Sequence, residues 1–301
     1  MTVTILLALP LLALLVLWLR GERGRLLLPS TRRWFAEGGV RWNALHGYIY
    51  GRWTKQYIHV LLNPPGKPRP SMTNWVAEHY HAKVLTHNHA HAIVTNENDI
   101  PLQDLEQIVP YPVARSLLLK GPPDVAAYEC VCRHNRKTHC EPTQVCMVIG
   151  QPMVDFMAEH HPDTVRRLSQ TEAVELLRAE HERGHVHSAW FKDAMFDRFY
   201  AICNCCKCCC GGIQAMTQWG APLMMSSGFV AELNPDKCDL CRNCVDACPF
   251  DALTMSGDVV ARDWKKCMGC GVCEVSCPSE AVALVRDERK GIPLDVRALA
   301  V

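Results

Sequence analysis

The longest apolar run of the chain lies at its N-terminus. Residues 3–19 carry no charged side chain, and Arg20, Arg23 and Arg25 follow at once. As a helix this run is about 25 Å long, at the short end for a bilayer core of about 30 Å. The positive-inside rule places the arginine side in the cytoplasm. The pattern predicts a transmembrane anchor over residues 1–20, with a cleaved signal peptide or a buried helix as alternatives.

The next segment, residues 21–68, is rich in aromatic and basic side chains. Such residues suit the lipid headgroup region, and they equally suit packed helices with aromatic core positions. Asn63–Pro68 contains three prolines and a glycine, so it is predicted to be a linker. The aromatic segment therefore has two interpretations, which the sequence leaves open.

Beyond the linker, short apolar patterns of both periods predict a mixed α/β domain over residues 69–228. Ser169 and Glu172 form a capping box in front of an apolar stripe, and Gly184 is a stop signal for the helix. The predicted elements are strands at residues 83–86 and 92–95, a helix at 101–108 and helical structure over 150–184. The chain as a whole is predicted to be α+β.

Composition changes this picture in one respect. The 301 residues are 49% apolar and 21% charged with a net charge of +1, which excludes a disordered chain and argues against a nucleic-acid binder. The 18 cysteines are unusual. A small disulfide scaffold does not fit this length, so metal or cluster ligation is the remaining common use.

Eight of these cysteines form two copies of one motif, and the second copy begins 29 residues after the first. In each copy the spacing is two, two and three residues, with proline after the last cysteine. This is the spacing of the bacterial ferredoxin motif, whereas structural zinc sites use paired spacings. The cysteines are Cys238, Cys241, Cys244 and Cys248 in the first copy, and Cys267, Cys270, Cys273 and Cys277 in the second.

Residues 229–286 therefore resemble a two-cluster bacterial ferredoxin. The resemblance implies two [4Fe–4S] clusters that exchange their fourth ligands between the motifs. Gly269 and Gly271 would let the backbone approach the second cluster. One cluster would take Cys238, Cys241, Cys244 and Cys277, and the other Cys267, Cys270, Cys273 and Cys248.

Ten cysteines remain upstream, six of them between positions 203 and 210. Adjacent residues point in different directions, so these thiols cannot all be buried by apolar packing. Near neighbours also do not readily form disulfides with each other. We expect at least one further iron–sulfur cluster here, with zinc or a metal-free redox thiol set as alternatives; Cys130, Cys132, Cys140 and Cys146 are the more ligand-like set of four. The full candidate set is Cys130, Cys132, Cys140, Cys146, Cys203, Cys205, Cys206, Cys208, Cys209 and Cys210.

Three sequence features of this upstream region occur together: an E-C-x-C-R motif at residues 129–133, an E-A-x-E-L-L helix at 172–177 and a C-N-C-C-x-C-C-C run at 203–210. With the two motifs that follow, residues 128–286 are similar to a group of iron–sulfur proteins known mainly from genomes. The resemblance implies further iron–sulfur binding and carries no settled activity.

Five histidines fall within thirteen residues, namely His79, His81, His87, His89 and His91. On a strand, the last three would share one face and form a metal or haem site, or a proton relay to a quinone. Without a carboxylate partner at metal spacing, an exposed polar face is favoured. His185 and His187 are predicted to make local hydrogen bonds.

These features predict a membrane-anchored protein that passes single electrons between a cytoplasmic donor and a membrane redox partner. The alternatives are an oxidoreductase with a catalytic cluster or dithiol in the middle domain, and a metal-handling scaffold. The sequence has no nucleotide-binding fingerprint, G-x-S-x-G or H-E-x-x-H motif, which favours a carrier or complex subunit over a stand-alone enzyme. Expected partners are membrane lipid, redox proteins and a quinone, without nucleic acid. The predicted segments are 1–20, 21–68, 69–228, 229–286 and a tail at 287–301.

Overall fold

The computed structural model describes residues 2–39 and 41–300, with side chains from residue 12 onward. Its architecture is α+β, as predicted. The helices are α1 (Thr2–Gly21), α2 (Pro29–Gly38), α3 (Trp42–Arg52), α4 (Thr54–Leu62), α5 (Pro70–His79), α6 (His87–Val94), α7 (Val131–His134), α8 (Met153–His160), α9 (Gln170–Glu182), α10 (Gly211–Trp219), α11 (Asn243–Ala247) and α12 (Val272–Val275). The strands are β1 (Tyr80–Val84), β2 (Ile100–Asp104), β3 (Ser116–Leu119), β4 (Val125–Glu129), β5 (Gln144–Ile149), β6 (Val165–Leu168), β7 (Val186–Lys192), β8 (Arg198–Cys205), β9 (Met224–Met225), β10 (Phe229–Leu233), β11 (Leu253–Ser256), β12 (Val259–Arg262) and β13 (Val282–Arg286).

Nine strands form one sheet at the centre of the molecule. Its main path runs β6-β4-β5-β8-β7-β1-β9, and the β2–β3 pair joins beside β8. Neighbours along the path are antiparallel except β1 and β9. All seven residues of β7 are buried. Helices cover both faces of this central strand, so neither face meets solvent. Its sequence therefore does not need to alternate between apolar and polar residues.

The sheet separates two apolar cores. Trp190 and Phe191 are adjacent in β7 and enter opposite cores, because successive side chains of a strand point to opposite faces. The first core is rich in aromatic rings and includes Trp34, Tyr48, Phe156 and Tyr200. The second contains Ile93, Leu117, Leu177 and Phe199, contributed partly by α6 and α9.

The predicted transmembrane anchor is wrong. Within the part of the chain that the structure describes, no helix is both long enough and apolar enough to cross a membrane. The uncharged run is about 25 Å long against a bilayer core of about 30 Å. The end of α1 also belongs to the folded domain, since the Trp18 and Tyr48 rings stack with centroids 5.1 Å apart. The predicted single-pass membrane location with a cytoplasmic domain is therefore wrong as well.

The aromatic segment that follows α1 forms the packed helices α2, α3 and α4. Trp34 is fully buried and donates its indole N–H to the Ala44 carbonyl at 2.9 Å. The hydroxyl of buried Tyr48 donates to the Glu22 carboxylate at 2.7 Å. The interpretation of residues 21–68 as packed helices agrees with these contacts.

The local predictions of the middle domain have mixed outcomes. The capping box is confirmed, because the Ser169 hydroxyl accepts from the Glu172 amide and the Glu172 carboxylate accepts from the Ser169 amide. The helical prediction over 150–184 holds for α8 and α9, but β6 lies between them. The strand predicted at 83–86 overlaps β1 in part.

Two element types were predicted wrongly. Residues 92–95 lie largely in helix α6, because the Thr86 side chain caps this helix by accepting from the His89 amide at 3.3 Å. Residues 101–108 begin as strand β2, which pairs with β3 from Ile100 to Asp104. Pro101 also suits the start of an edge strand, so tertiary pairing decided between two allowed structures.

Candidate iron–sulfur centres

The two C-terminal motifs fold as structural repeats. Backbone φ is positive at Leu240 and at Gly269, and positive again at Arg242 and Gly271, each pair 29 residues apart. Two backbone hydrogen bonds are related in the same way. The Asn234 amide donates to the Ala281 carbonyl, and the Asp263 amide donates to the Ala252 carbonyl, so the two donors are 29 residues apart and so are the two acceptors. The duplication read from the sequence is therefore present in the backbone.

Gly269 shows why the second loop needs glycine. Its φ is +62°, and a Cβ at this position would lie against the backbone carbonyl of Phe229. Only a residue without a side chain allows this approach. The loop carrying Cys267, Cys270 and Cys273 is thus held tightly against strand β10.

Four thiols, called here the outer set, influence one another at one end of this unit. Burial raises the pKa of Cys244, and the neighbouring thiols of Cys277, Cys238 and Cys241 raise it further. Although burial raises the pKa of Cys277, hydrogen bonds from Ser279 and the Ala281 amide leave it lowered. The Ala281 amide lies 3.2 Å from this sulfur.

A second set, called the inner set, consists of Cys248, Cys267, Cys270 and Cys273. Burial raises the pKa of Cys270 to about 12, with contributions from the thiols of Cys248 and Cys267. The Ala252 amide lies 3.3 Å from the Cys248 sulfur, at the position that Ala281 holds in the other repeat. Each set thus combines three thiols of one motif with the last thiol of the other.

The two sets differ in burial. In the outer set Cys241 is exposed and Cys238 and Cys277 are half-buried, whereas all four inner thiols are buried. Cys270 also belongs to the same apolar core as Cys205 and Cys210 of the middle domain. The inner set therefore adjoins the apolar core that the middle domain contributes to.

The ten upstream cysteines meet at one end of the central sheet. Cys130 follows β4, Cys146 lies in β5, and Cys203 and Cys205 end β8. Because β5 runs antiparallel to both of its neighbours, these strand positions fall at the same end. The loop between β8 and α10 supplies the remaining thiols of the run at 203–210.

Four of these thiols form a compact group, called the four-thiol group: Cys140, Cys206, Cys208 and Cys209. Their sulfur atoms all lie within 4.8 Å of one another. Four thiolates at about 2.3 Å from one tetrahedral ion are about 3.8 Å apart, whereas a cube holds each thiolate on a separate iron. The group's dimensions thus fit a single metal ion.

Charge around the four-thiol group also suits a bound cation with four thiolates. Although burial raises the pKa of Cys208, interactions with the Cys209, Cys140 and Cys206 thiols leave it lowered. The buried guanidinium of Arg133 interacts electrostatically with Cys206 and Cys140. A tetrathiolate site with a divalent ion carries net negative charge, which this cation offsets.

The other six thiols form the six-thiol group. Neighbouring thiols of this group interact in the order Cys203–Cys146–Cys130–Cys132–Cys210–Cys205. Interaction with the Cys132 thiol and burial raise the pKa of Cys130 to about 11. Cys130 is therefore neutral at pH 7 without metal, and binding of a metal centre would release its proton.

The six-thiol group borders a cavity of about 340 Å³. Its remaining walls are mostly apolar and come from α4, α5, α10 and β7; they include Ile58, Leu62, Val76, Trp190 and Trp219. Gly211 and Gly212 line it beside the thiols. All six cysteines of the group, together with Cys206 of the four-thiol group, therefore line an apolar chamber.

The sequence did not reveal this grouping. The suggested set of four is divided, since Cys140 lies in the four-thiol group while Cys130, Cys132 and Cys146 lie in the six-thiol group. Cys140 follows the short helix α7, and the path of the connecting loop decides which thiols it meets. The spacing of these residues carries no signal for that path.

The histidine face predicted on a strand is also wrong, because His87–His91 belong to helix α6. His89 is buried and His91 is exposed, so the alternating residues do not share a surface. Buried His81 contacts the ring of Tyr111, with centroids 4.3 Å apart. The predicted hydrogen-bonding roles hold, since His185 contacts Glu180 at 2.7 Å and His187 contacts Asn204 at 2.6 Å.

Comparison with known proteins identifies the two repeats. Residues 231–254 and 260–283 each match the family model described as a 4Fe-4S binding domain. No curated protein matches the chain. These two matches support an iron–sulfur protein with a role in electron transfer. The wider resemblance over residues 128–286 stays a prediction.

Proposed function

We propose that this protein carries single electrons through two [4Fe–4S] clusters to a third thiolate-bound centre in its middle domain. The outer set, Cys238, Cys241, Cys244 and Cys277, would hold the first cluster. The inner set, Cys248, Cys267, Cys270 and Cys273, would hold the second. The mutual electrostatic effects within each set support this exchange of fourth ligands.

The observation that carries the proposal is the gradient of burial. An outer cluster beside exposed Cys241 is accessible to a redox partner protein, while the buried inner cluster is not. The inner set adjoins the middle domain through Phe250 and Met268, which pack in its aromatic core. Electrons would enter or leave at the outer cluster and pass inward.

The six-thiol group is the proposed third centre. Four of its thiols suffice for one further iron–sulfur cluster, and the cavity beside them gives room for a bulky cofactor. When bound, the cluster would supply one-electron storage. The protein would hold it through thiolates and exclude water with the apolar walls of the cavity.

The four-thiol group is proposed to hold a single zinc ion in a structural role. Its sulfur separations support one ion, and it joins the loop after β8 to the loop that carries Cys140. Its neighbour Lys207 forms an ion pair with Asp251 of the ferredoxin unit at 3.1 Å. A zinc ion here would fix the loop that lies between the two parts of the chain.

One observation favours a second candidate function, an iron–sulfur oxidoreductase. A carrier needs no substrate pocket, yet the six-thiol group borders an apolar cavity of about 340 Å³, within the usual range for small-molecule sites. If four thiols of the six-thiol group hold a cluster, the remaining two would be free to take part in disulfide chemistry. In this alternative the clusters deliver electrons to a substrate in the cavity.

Stopped-flow reduction separates the two functions. Anaerobic, cluster-loaded protein is mixed with a reduced plant-type ferredoxin, a donor too large to reach the interior. We expect Cys241→Ala to slow reduction of the remaining centres at least tenfold, while Val259→Ala, at an exposed residue of the same unit that is not a proposed ligand, leaves their rate unchanged. Equal rates in both variants would contradict the electron path. Catalytic reoxidation by an added small disulfide would support the oxidoreductase instead.

A further inference from the structure

Three histidines from separate elements meet beside the central sheet. His87 begins α6, His181 lies near the end of α9, and His187 lies in β7. One ring nitrogen of each lies within 4.8 Å of the others. Nδ1 of His87 is 3.3 Å from Nε2 of His187, and the rings of His87 and His181 stack with centroids 4.4 Å apart.

A hydrogen-bond network orients the innermost ring. Nδ1 of His187 is 2.6 Å from Oδ1 of Asn204, whose amide nitrogen donates to the Val145 carbonyl at 2.7 Å. Because that amide oxygen can only accept, the network assigns the His187 proton to Nδ1. The lone pair of Nε2 then faces the other two rings. Metal-binding histidines are commonly fixed in this way by a partner on the second nitrogen.

The surroundings keep the three rings available as ligands. Burial lowers the pKa of His187 to about 3, and burial also lowers the pKa values of His87 and His181. Neutral imidazoles have a free lone pair and can bind a cation. The Glu182 carboxylate acts electrostatically on both His87 and His181, and its negative charge would stabilise a cation between them.

We propose that His87, His181 and His187 bind a divalent first-row transition ion, with zinc as the reference metal. Three imidazoles on one side of an ion form a known ligand set that leaves a further position for water or a small molecule. This proposal does not depend on the electron path, since it rests only on the three rings and their hydrogen bonds.

The proposed ion would lie close to both the inner set and the six-thiol group. His181 lies beside Gly271 in the loop of the inner set; its Cε1 is 3.9 Å from a Cβ built on that glycine. On the other side, Asn204 stands between Cys203 and Cys205 of the six-thiol group. The proposed ion would therefore lie between the ferredoxin unit and the thiol end of the sheet.

The test is zinc binding by the full, cluster-loaded chain. We expect His87→Ala and His181→Ala, which alter half-buried rings, to bind one zinc ion fewer per chain than the wild type. His91→Ala, one turn further along α6 and exposed, should bind as much as the wild type. X-ray absorption at the zinc edge should lose nitrogen neighbours at about 2.0 Å in the first two variants.

The proposal would be overturned if the wild type and the three variants had equal zinc content and the same number of nitrogen neighbours around zinc. The three histidines would then form only a hydrogen-bonded cluster. Iron content serves as a separate readout, because it reports the clusters and not this site. A variant that keeps its iron and loses one zinc ion supports the metal site even if the proposed electron path fails.

Discussion

Arg133 and Glu180 form a fully buried ion pair, 3.1 Å apart, in which neither side chain is exposed. Glu180 also contacts His185 at 2.7 Å. Although burial raises the pKa of Glu180, hydrogen bonding to His185 and the charge of Arg133 leave it lowered. In the sequence Arg133 directly follows Cys132, but nothing in the sequence indicates that its charge is buried and paired with a carboxylate of helix α9.

Glu180→Gln should destabilise the protein strongly. The substitution leaves the Arg133 charge buried without its partner, which costs about 3–5 kcal/mol and lowers the Tm by on the order of 10 °C. Glu175→Gln on the same helix is the matched control, because its pairing with Arg178 is exposed and contributes little to stability. Equal Tm values for the two variants, measured anaerobically, would contradict the importance of the buried pair.

Gly269 offers a second comparison between single residues. Gly269 and Gly257 share a φ of +62°, but a Cβ on Gly257 would meet nothing within 4 Å. Gly257→Ala should cost only the left-handed strain of roughly 1–2 kcal/mol. Gly269→Ala must also displace the Phe229 carbonyl, so we expect faster loss of the inner cluster to a chelator. Similar rates of visible bleaching in both variants would refute the close-approach argument.

At the scale of helices and strands, short sequence patterns predicted correctly the features that depend on contacts between residues close in sequence. The capping box of Ser169 and Glu172 lies within four residues and is confirmed. The duplicated motif is equally local, and its backbone repeat follows. Residues 92–95 were predicted wrongly because a short apolar run suits either a helix or a strand, and residues 101–108 because proline suits the start of either. Pairing of β2 with β3, and the contact of α6 with α9, decided these cases.

The exchange of ligands between the two repeats makes a prediction about crossed effects. Cys248→Ala should damage the cluster of the second motif, and Cys277→Ala that of the first, since each removes the fourth thiolate of the other loop's cluster. Electron paramagnetic resonance of the reduced variants identifies the cluster that remains. Damage confined to the cluster of the substituted cysteine's own motif would exclude the assignment.

The four-thiol and six-thiol groups are predicted to bind different metals, zinc in the first and iron in the second. Cys140→Ala in the four-thiol group should remove one zinc ion per chain and leave iron unchanged. Cys146→Ala in the six-thiol group should lower iron and sulfide while zinc stays. Elemental analysis of both variants distinguishes the two groups. Loss of iron from Cys140→Ala without loss of zinc would show that the four-thiol group belongs to a cluster.

For the molecule as a whole, the sequence predicted the α+β class and the ferredoxin unit, and it failed on the anchor. The apolar run of α1 is near the threshold length, so composition alone overstated its reach. The division of ten cysteines into groups of four and six also escaped the sequence. It depends on antiparallel β4, β5 and β8 bringing distant positions to one end of the sheet.

The central claim is that two ferredoxin clusters lead to a third cluster in the middle domain. Iron and acid-labile sulfide per chain of anaerobically reconstituted protein test it most directly, with electron paramagnetic resonance of the reduced state. Two cubes account for about eight irons, and a third cube raises the total to about twelve irons and twelve sulfides. The account predicts about twelve of each with signals from more than two centres. Saturation at about eight, with a two-cluster spectrum, would contradict it.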